Sequence, residues 1–236
     1  MSRCVAEHGP GNTSPTTIKS YRLSLIRLII SQNCAGPERF FVYEKVYDEF
    51  LDKVAKVVNG MKIGPSLGDP YVDCGSICMG PRQLEHYQRL VDDAKSKGAR
   101  ILAGGFIPAA GTYTGTFYPP TVLADVPENA IIAQEEIFGP IMCVFKVVGN
   151  SDEEAIRMAN NCEFALSSCA FSGSAARAKS VASRLHAGMS SVNDLEGCTY
   201  MSQSLPFGGH KKSGYDRFAG PEGLRGLCNI RYRGMI

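Results

Sequence analysis

Residues Ser31 to Phe41 read S-Q-N-C-A-G-P-E-R-F-F. Cys34 stands between the amides of Gln32 and Asn33 and the small step Ala35-Gly36. A thiolate nucleophile needs polar groups that favour its charge and an open line of approach, and this surround offers both. The competing reading is a structural thiol. Cys143 in I-M-C-V-F and Cys169 in S-C-A-F lie within apolar runs and read as small buried hydrophobes. A second stretch is E-E-I-F-G-P, where Glu136 precedes Phe138 by two residues. A carboxylate accepts hydrogen bonds from ribose hydroxyls, and an aromatic ring packs against a planar cofactor ring. The same residues also suit a plain Gly-Pro turn with solvated acids. A third stretch is P-F-G-G-H-K-K-S-G, Pro206 to Gly214. Its paired glycines allow close backbone approach, and its basic run suits either an anion or open solvent. Glu38 is the acid nearest Cys34 in sequence, and it reads as one half of a strand-edge ion pair with Arg39.

The bulk properties narrow the classes. A chain of 236 residues makes one large domain or two small ones, and 44% hydrophobic with 20% charged residues suits a globular fold. The net charge of +2 gives no reason to expect nucleic acid. Nine cysteines without a C-x-x-C pair, and four scattered histidines, give no metal-site pattern. The opening residues do not resemble a signal peptide, so free thiols in the cytoplasm or another reducing compartment are expected. Asn12-Thr13-Ser14 matches a glycosylation acceptor that this context gives no use. The run Leu23 to Ile30 is far shorter than a membrane span and reads as a core helix or strand. Neither G-x-G-x-x-G nor G-x-x-x-x-G-K-[ST] occurs, so no phosphate-cradling loop is visible.

The elements that must position these residues follow from periodicity. Residues Met1 to Thr17 lack it and are expected to be disordered. Phe40 to Tyr43 suits a buried strand. A helix follows with Val46, Phe50, Val54, Val57 and Val58 inward and Gly60 as its stop. Pro81 to Lys97 is a second helix, with Leu84, Tyr87, Leu90, Val91 and Ala94 on one stripe and Gly98 as cap. Arg100 to Ala103 is a strand, and Gly105 to Pro120 a long connection or hairpin. Thr121 to Val126, Ile141 to Val148, Leu166 to Phe171 and Met189 to Asn193 are further strands. Between them Ser151 opens a helix with Glu154 in capping-box spacing. Ser174 opens another, with Ala178, Val181, Ala182 and Leu185 inward and Gly188 as stop. Alternating strands and helices predict an α/β fold with a largely parallel sheet flanked by helices.

Taken in order, these segments resemble the C-terminal, catalytic-domain portion of the aldehyde dehydrogenase superfamily. The motifs are Q-N-C-A-G-P-E-R-F, G-D-P after the first helix, F-Y-P-P-T-V-L, E-E-I-F-G-P, A-I-R-M-A-N-N, V-N-D and P-F-G-G-H-K-K-S-G. The wording H-K-K-S-G-Y-D-R-F is similar to a plant branch. The resemblance covers Gln32 to Arg231 and divides the chain into residues 1–30, a leader outside the family, and 31–236, the catalytic-domain-like portion. It implies oxidation of a small aldehyde to an acid with NAD or NADP. In that reaction Cys34 is the nucleophile and its N–H half of an oxyanion hole. Glu136 holds the nicotinamide ribose, Phe138 lies beside it, and Phe207 lies near the substrate channel. It also implies a homo- or hetero-oligomer. The family places its cofactor domain, general-base glutamate, oxyanion asparagine and adenosine-ribose lysine before the cysteine. The chain therefore reads as truncated at its N-terminus, with little activity of its own. Two alternatives follow from that: a silent partner of a full-length subunit, or a cofactor-free thiol esterase.

Overall fold

The computed structural model describes residues 2–6, 32–67, 72–194, 202–229 and 231. The Gly68-Asp69-Pro70 motif, the Leu23–Ile30 run and Asn12 lie outside them.

A seven-stranded sheet runs in the order β3-β4-β5-β2-β1-β7-β8. Its strands are β1 (Ser2–Ala6), β2 (Pro37–Tyr43), β3 (Arg100–Ala103), β4 (Thr121–Ala124), β5 (Ile141–Val147), β7 (Ser167–Phe171) and β8 (Met189–Val192). Every pairing is parallel except β3 with β4 at one edge. A separate antiparallel pair joins β6 (Phe164–Ala165) to β9 (His210–Lys211). The helices are α1 (Glu44–Asn59), α2 (Pro81–Ser96), α3 (Asp152–Asn160), α4 (Ala175–Ala182) and a short α5 (Gly220–Gly226).

Alternation along β2 assigns the layers. Phe41 and Tyr43 point to the face covered by α2, α3 and α4, where Tyr87, Leu90, Ala155, Ala159, Ala178 and Val181 are buried with them. Phe40 and Val42 point to the opposite face, against Tyr47, Leu51, Val54 and Val58 of α1. All seven β2 residues are buried, as expected of a central strand in a parallel sheet covered on both faces.

The elements expected from periodicity are present, with four corrections. The expected leader, residues 1–30, contributes β1, which lies at the centre of the sheet between β2 and β7. S-R-C-V-A has no apolar pattern of its own, and its strand geometry comes from two parallel neighbours. The buried stripe of α1 runs through Tyr47, Leu51, Val54 and Val58, with Val46 and Phe50 only partly buried. The Tyr47 hydroxyl explains the shift, since it accepts from Asp125 N at 2.7 Å and so anchors that face of the helix. The helix opened by Ser174 ends at Ala182, well before Gly188. Gly188 has a different duty: a Cβ there would collide with the Gly208 carbonyl. Finally, Glu38 and Arg39 form no edge ion pair. Both side chains are buried in the central strand and turn to different partners.

The capping expectations hold. Ser151 Oγ accepts from Glu154 N at 3.3 Å, and Ser174 Oγ from Arg177 N at 3.3 Å. Gly98 takes a left-handed φ of 109° just beyond the end of α2.

Candidate active site

Cys34 occupies a turn immediately before β2, and its side chain is exposed. Asn33 shapes that turn. Its Oδ1 accepts from Ala35 N at 2.9 Å and its carbonyl from Gly36 N at 3.2 Å, an Asx-type arrangement. Asn33 therefore folds back on its own backbone. The Cys34 N–H has no partner among the described residues. Gln32 ties the turn sideways: its Nε2 donates to Ser76 O at 3.2 Å, and its Oε1 accepts from Cys78 N at 2.9 Å.

The E-E-I-F-G-P loop enters β5 at the same end of the sheet, because β2 and β5 are parallel. Glu136 and Phe138 are half-buried there. Phe138 adopts a left-handed φ of 52°, an uncommon state for a bulky residue that needs support. That support comes from three sides. Tyr87 Oη donates to Phe138 O at 2.7 Å, and Gln83 Nε2 to Ile137 O at 3.1 Å. From below, Glu38 accepts from Phe138 N at 2.7 Å and Ile137 N at 3.1 Å. The following Gly139 is required, because a Cβ would strike the Tyr87 ring.

Glu38 is the buried support of this loop that reading the sequence missed. Burial pushes its carboxyl up to about 7, against the two loop N–H bonds that favour the charged form. Both oxygens are engaged and the side chain is shut from solvent, which excludes it as a base for water at Cys34. A signal existed in the sequence. An acid on a strand flanked by Phe40 and Phe41 is costly to bury, so its presence implied partners.

Arg39 points elsewhere. It donates to Met158 O at 3.1 Å, and to Ala159 O and Asn161 O at 3.4 Å each, at the C-terminal end of α3. Its guanidinium also lies 4.9 Å from the Phe41 ring centroid.

Phe207 comes to the same end of the sheet. It is buried in a small cluster with Ala35, the residue next to Cys34, and with Leu166, against Met189. Its ring lies 4.8 Å from Phe218, and the two residues exchange backbone bonds at 2.7 and 2.8 Å. The P-F-G-G-H-K-K-S-G loop is held by β6 and β9, and by the expected close backbone approach at Gly208. Its lysines are not an anion site. Lys211 Nζ donates to Asn160 O and Cys162 O at 2.9 and 2.8 Å, capping the end of α3, and Lys212 pairs with Glu163.

Three loops thus meet at the amino ends of β2, β5 and β7. One bears an exposed thiol beside a backbone N–H without a partner among the described residues, one a half-buried carboxylate and ring, and one a phenylalanine clustered with the thiol's neighbour. Cys143 is fully buried with its thiol pushed up by desolvation, as its apolar setting suggests. Among the described residues no group of three or more His, Cys, Asp or Glu is placed to hold a metal ion.

The chain belongs to the aldehyde dehydrogenase family, whose model matches residues 28–232. It is 41% identical over 201 residues to the aldehyde dehydrogenase-like protein C21C3 of Schizosaccharomyces pombe, covering 85% of this chain and 37% of that protein. It is 35% identical over 200 residues to succinate-semialdehyde dehydrogenase [NADP(+)] 1 of Mycobacterium ulcerans, covering 85% and 42%. The crystal structure of a Mycobacterium tuberculosis aldehyde dehydrogenase complexed with NAD+ superposes with a TM-score of 0.81 at 25% identity, over 99% of this chain and 47% of the other. The chain spans about two-fifths of the length of the curated relatives it matches.

Proposed function

We propose that this chain is the nucleophile-bearing portion of an NAD(P)-dependent aldehyde dehydrogenase, acting on a small aldehyde through Cys34. The observation that supports it most is the convergence of the Cys34 turn, the Glu136–Phe138 loop and Phe207 at one end of the sheet. In this reading the Cys34 thiolate attacks the aldehyde carbon. A sulfur–carbon bond forms, and the carbonyl electron pair moves onto oxygen. The Cys34 N–H meets that oxygen, since Asn33 already takes the next two amides. Phe207, clustered with Ala35, walls the approach of the substrate.

Glu136 and Phe138 fit the nicotinamide-ribose end of a dinucleotide. They are a carboxylate and a ring two residues apart, on a loop whose backbone is held by Glu38, Gln83 and Tyr87. When bound, NAD(P)+ supplies the hydride acceptor that lets the Cys34 adduct end as a thioester. One relative is named for NADP(+) and another was solved with NAD+, so either nucleotide is in scope.

The test is direct. Incubation with p-nitrophenyl acetate should release p-nitrophenol and leave one acetyl group on Cys34 by mass spectrometry, both lost in Cys34→Ala. Aldehyde plus NAD(P)+ then asks for reduced nucleotide. Acylation spread over the other exposed cysteines among the described residues, Cys78 and Cys228, would sink the assignment of Cys34.

A second reading is that the chain works as a partner of another subunit, as a homo- or hetero-oligomer. It is favoured by Tyr215, Phe218, Leu224 and Leu227, which stand exposed together in the C-terminal segment. A monodisperse monomer by light scattering counts against it. Among the described residues no helix is long and apolar enough to cross a membrane, and a reducing compartment suits the seven free thiols there.

A further inference from the structure

Glu136 and Phe138 are half-buried on the E-E-I-F-G-P loop, and the backbone that carries them is held by side chains from other elements. Tyr87 and Gln83 bind its carbonyls from α2. Glu38 binds the N–H groups of Ile137 and Phe138, and it does so from the strand that follows the Cys34 turn. Ile137 N and Phe138 N converge on the two oxygens of one carboxylate. They flank the peptide unit next to Glu136, and Phe138 carries the loop's left-handed backbone. We propose that Glu38 is a positioning residue: its carboxylate clamps the Ile137–Phe138 backbone, and so fixes Glu136 and Phe138 in register with the Cys34 turn. The clamp rests on the reading of Glu136 and Phe138 as the nicotinamide-ribose contacts.

The chemistry favours a carboxylate over any other side chain here. Two N–H donors need two acceptors a short distance apart, and a carboxylate supplies both with charge assistance. Glutamine of the same length supplies one oxygen and turns an NH2 group against the second donor. Aspartate lacks one methylene and falls short of both. The buried charge is costly in itself, which argues that this position is not a passive filler of the core. The Tyr87–Gly139 contact reinforces the clamp from the other side, since a Cβ at Gly139 would displace the Tyr87 ring.

The experiment is residue-resolved amide hydrogen exchange on wild type, Glu38→Ala, Glu38→Gln and Glu38→Asp. Ile137 and Phe138 should exchange about tenfold faster or more in the alanine variant, the loss of one charge-assisted bond. The glutamine variant should rescue part of that loss. Val144, further along β5, should stay within about twofold throughout, because loosening confined to the loop does not reach it. Equal acceleration at Val144, or no change at Ile137 and Phe138, overturns the proposal. If the alanine variant does not fold, the same loop-to-Val144 ratio in the glutamine and aspartate variants decides it. Titration with NAD+ and NADP+ forms the second arm. Wild type should bind one of them at least about fivefold more tightly than Glu38→Gln, and equal affinity overturns the link to the cofactor. If wild type binds neither, the functional reading fails, and the exchange ratio alone then judges the clamp.

Discussion

The two ends of the parallel sheet are built on different principles. At the carboxyl ends of β2, β5 and β7, polar groups satisfy one another. Tyr43 Oη donates to Asp152 Oδ1 at 2.6 Å, Arg177 grips the same carboxylate at 2.6 and 3.0 Å, and its guanidinium lies 5.3 Å from the Tyr43 ring centroid. Glu44 accepts from Gly149 N, and Asn150 from Lys45 N. At the amino ends, a thiol is left exposed, a bulky residue sits at positive φ, and a carboxylate and an arginine are buried apart. Open α/β sheets usually bind ligands outside the carboxyl ends of their strands. Here that end is closed by its own side chains, and the reactive groups gather at the other. Strain and buried charge therefore mark the candidate site better than the general topological rule does.

The largest break in this contrast should come from Arg39→Ala. It removes the guanidinium bonds to Met158 O, Ala159 O and Asn161 O at the end of α3 and leaves a cavity beside Phe41. A loss of about 3–5 kcal/mol is expected, read by urea denaturation. A loss under about 1 kcal/mol would mean that the amino end is not held from within.

Glu38 gives the next effect, and it appears as a pH dependence. Its folded carboxyl lies near 7 against an ordinary 4.5. The folded state therefore holds that proton more tightly than the unfolded one. The stability this contributes is fully present below about pH 4.5 and is lost as pH rises through about 7. The difference amounts to about 3 kcal/mol. In Glu38→Gln the slope over that window should flatten. An unchanged slope would assign it to other groups.

At the carboxyl end the effect is smaller and of opposite sign. Arg177, foremost among its neighbours, holds the Asp152 carboxyl below its ordinary 3.8. Its contribution is present above that value and disappears as pH falls below it. The pair is about one-third exposed, so Asp152→Asn should cost only about 1 kcal/mol at neutral pH. Thermal melts at pH 7 and pH 3 check both parts. The smallest effect belongs to the exposed Lys53–Glu49 pair on α1. Lys53→Ala should cost below about 0.5 kcal/mol, and this sets the floor against which the two ends are compared.

Much of this was legible before any coordinates. Helical stripes, Ser151 and Ser174 as caps, and Gly98 as a stop are local features, and local chemistry decides them. The segments around Cys34, Glu136 and Phe207 suit ordinary turns when taken singly, and they stand out only through their order in the family resemblance. What escaped was decided by sheet order. Nothing in S-R-C-V-A announces a central strand, because its hydrogen bonds are with residues 37–42 and 168–171. Glu38 and Arg39 look like an edge pair until β2 is known to lie at the centre, where both faces are covered and neighbours in sequence point apart. Tyr47 displaced Val46 from the buried stripe because its hydroxyl found a partner in Asp125, on a loop 78 residues away.

The place of β1 has a consequence in time. It precedes both of its neighbours in sequence, and one of them is the distant β7, with Ala6 opposite Phe171. A ribosome must deliver the intervening chain before the centre of the sheet can close. Pairings of such long sequence separation form slowly. Until β1 docks, β2 and β7 present two unpaired edges across a strand-wide slot. The β1 of a second copy matches that slot as well as the chain's own does. Refolding should therefore divide between closure within one molecule and strand exchange between two, and protein concentration sets the division.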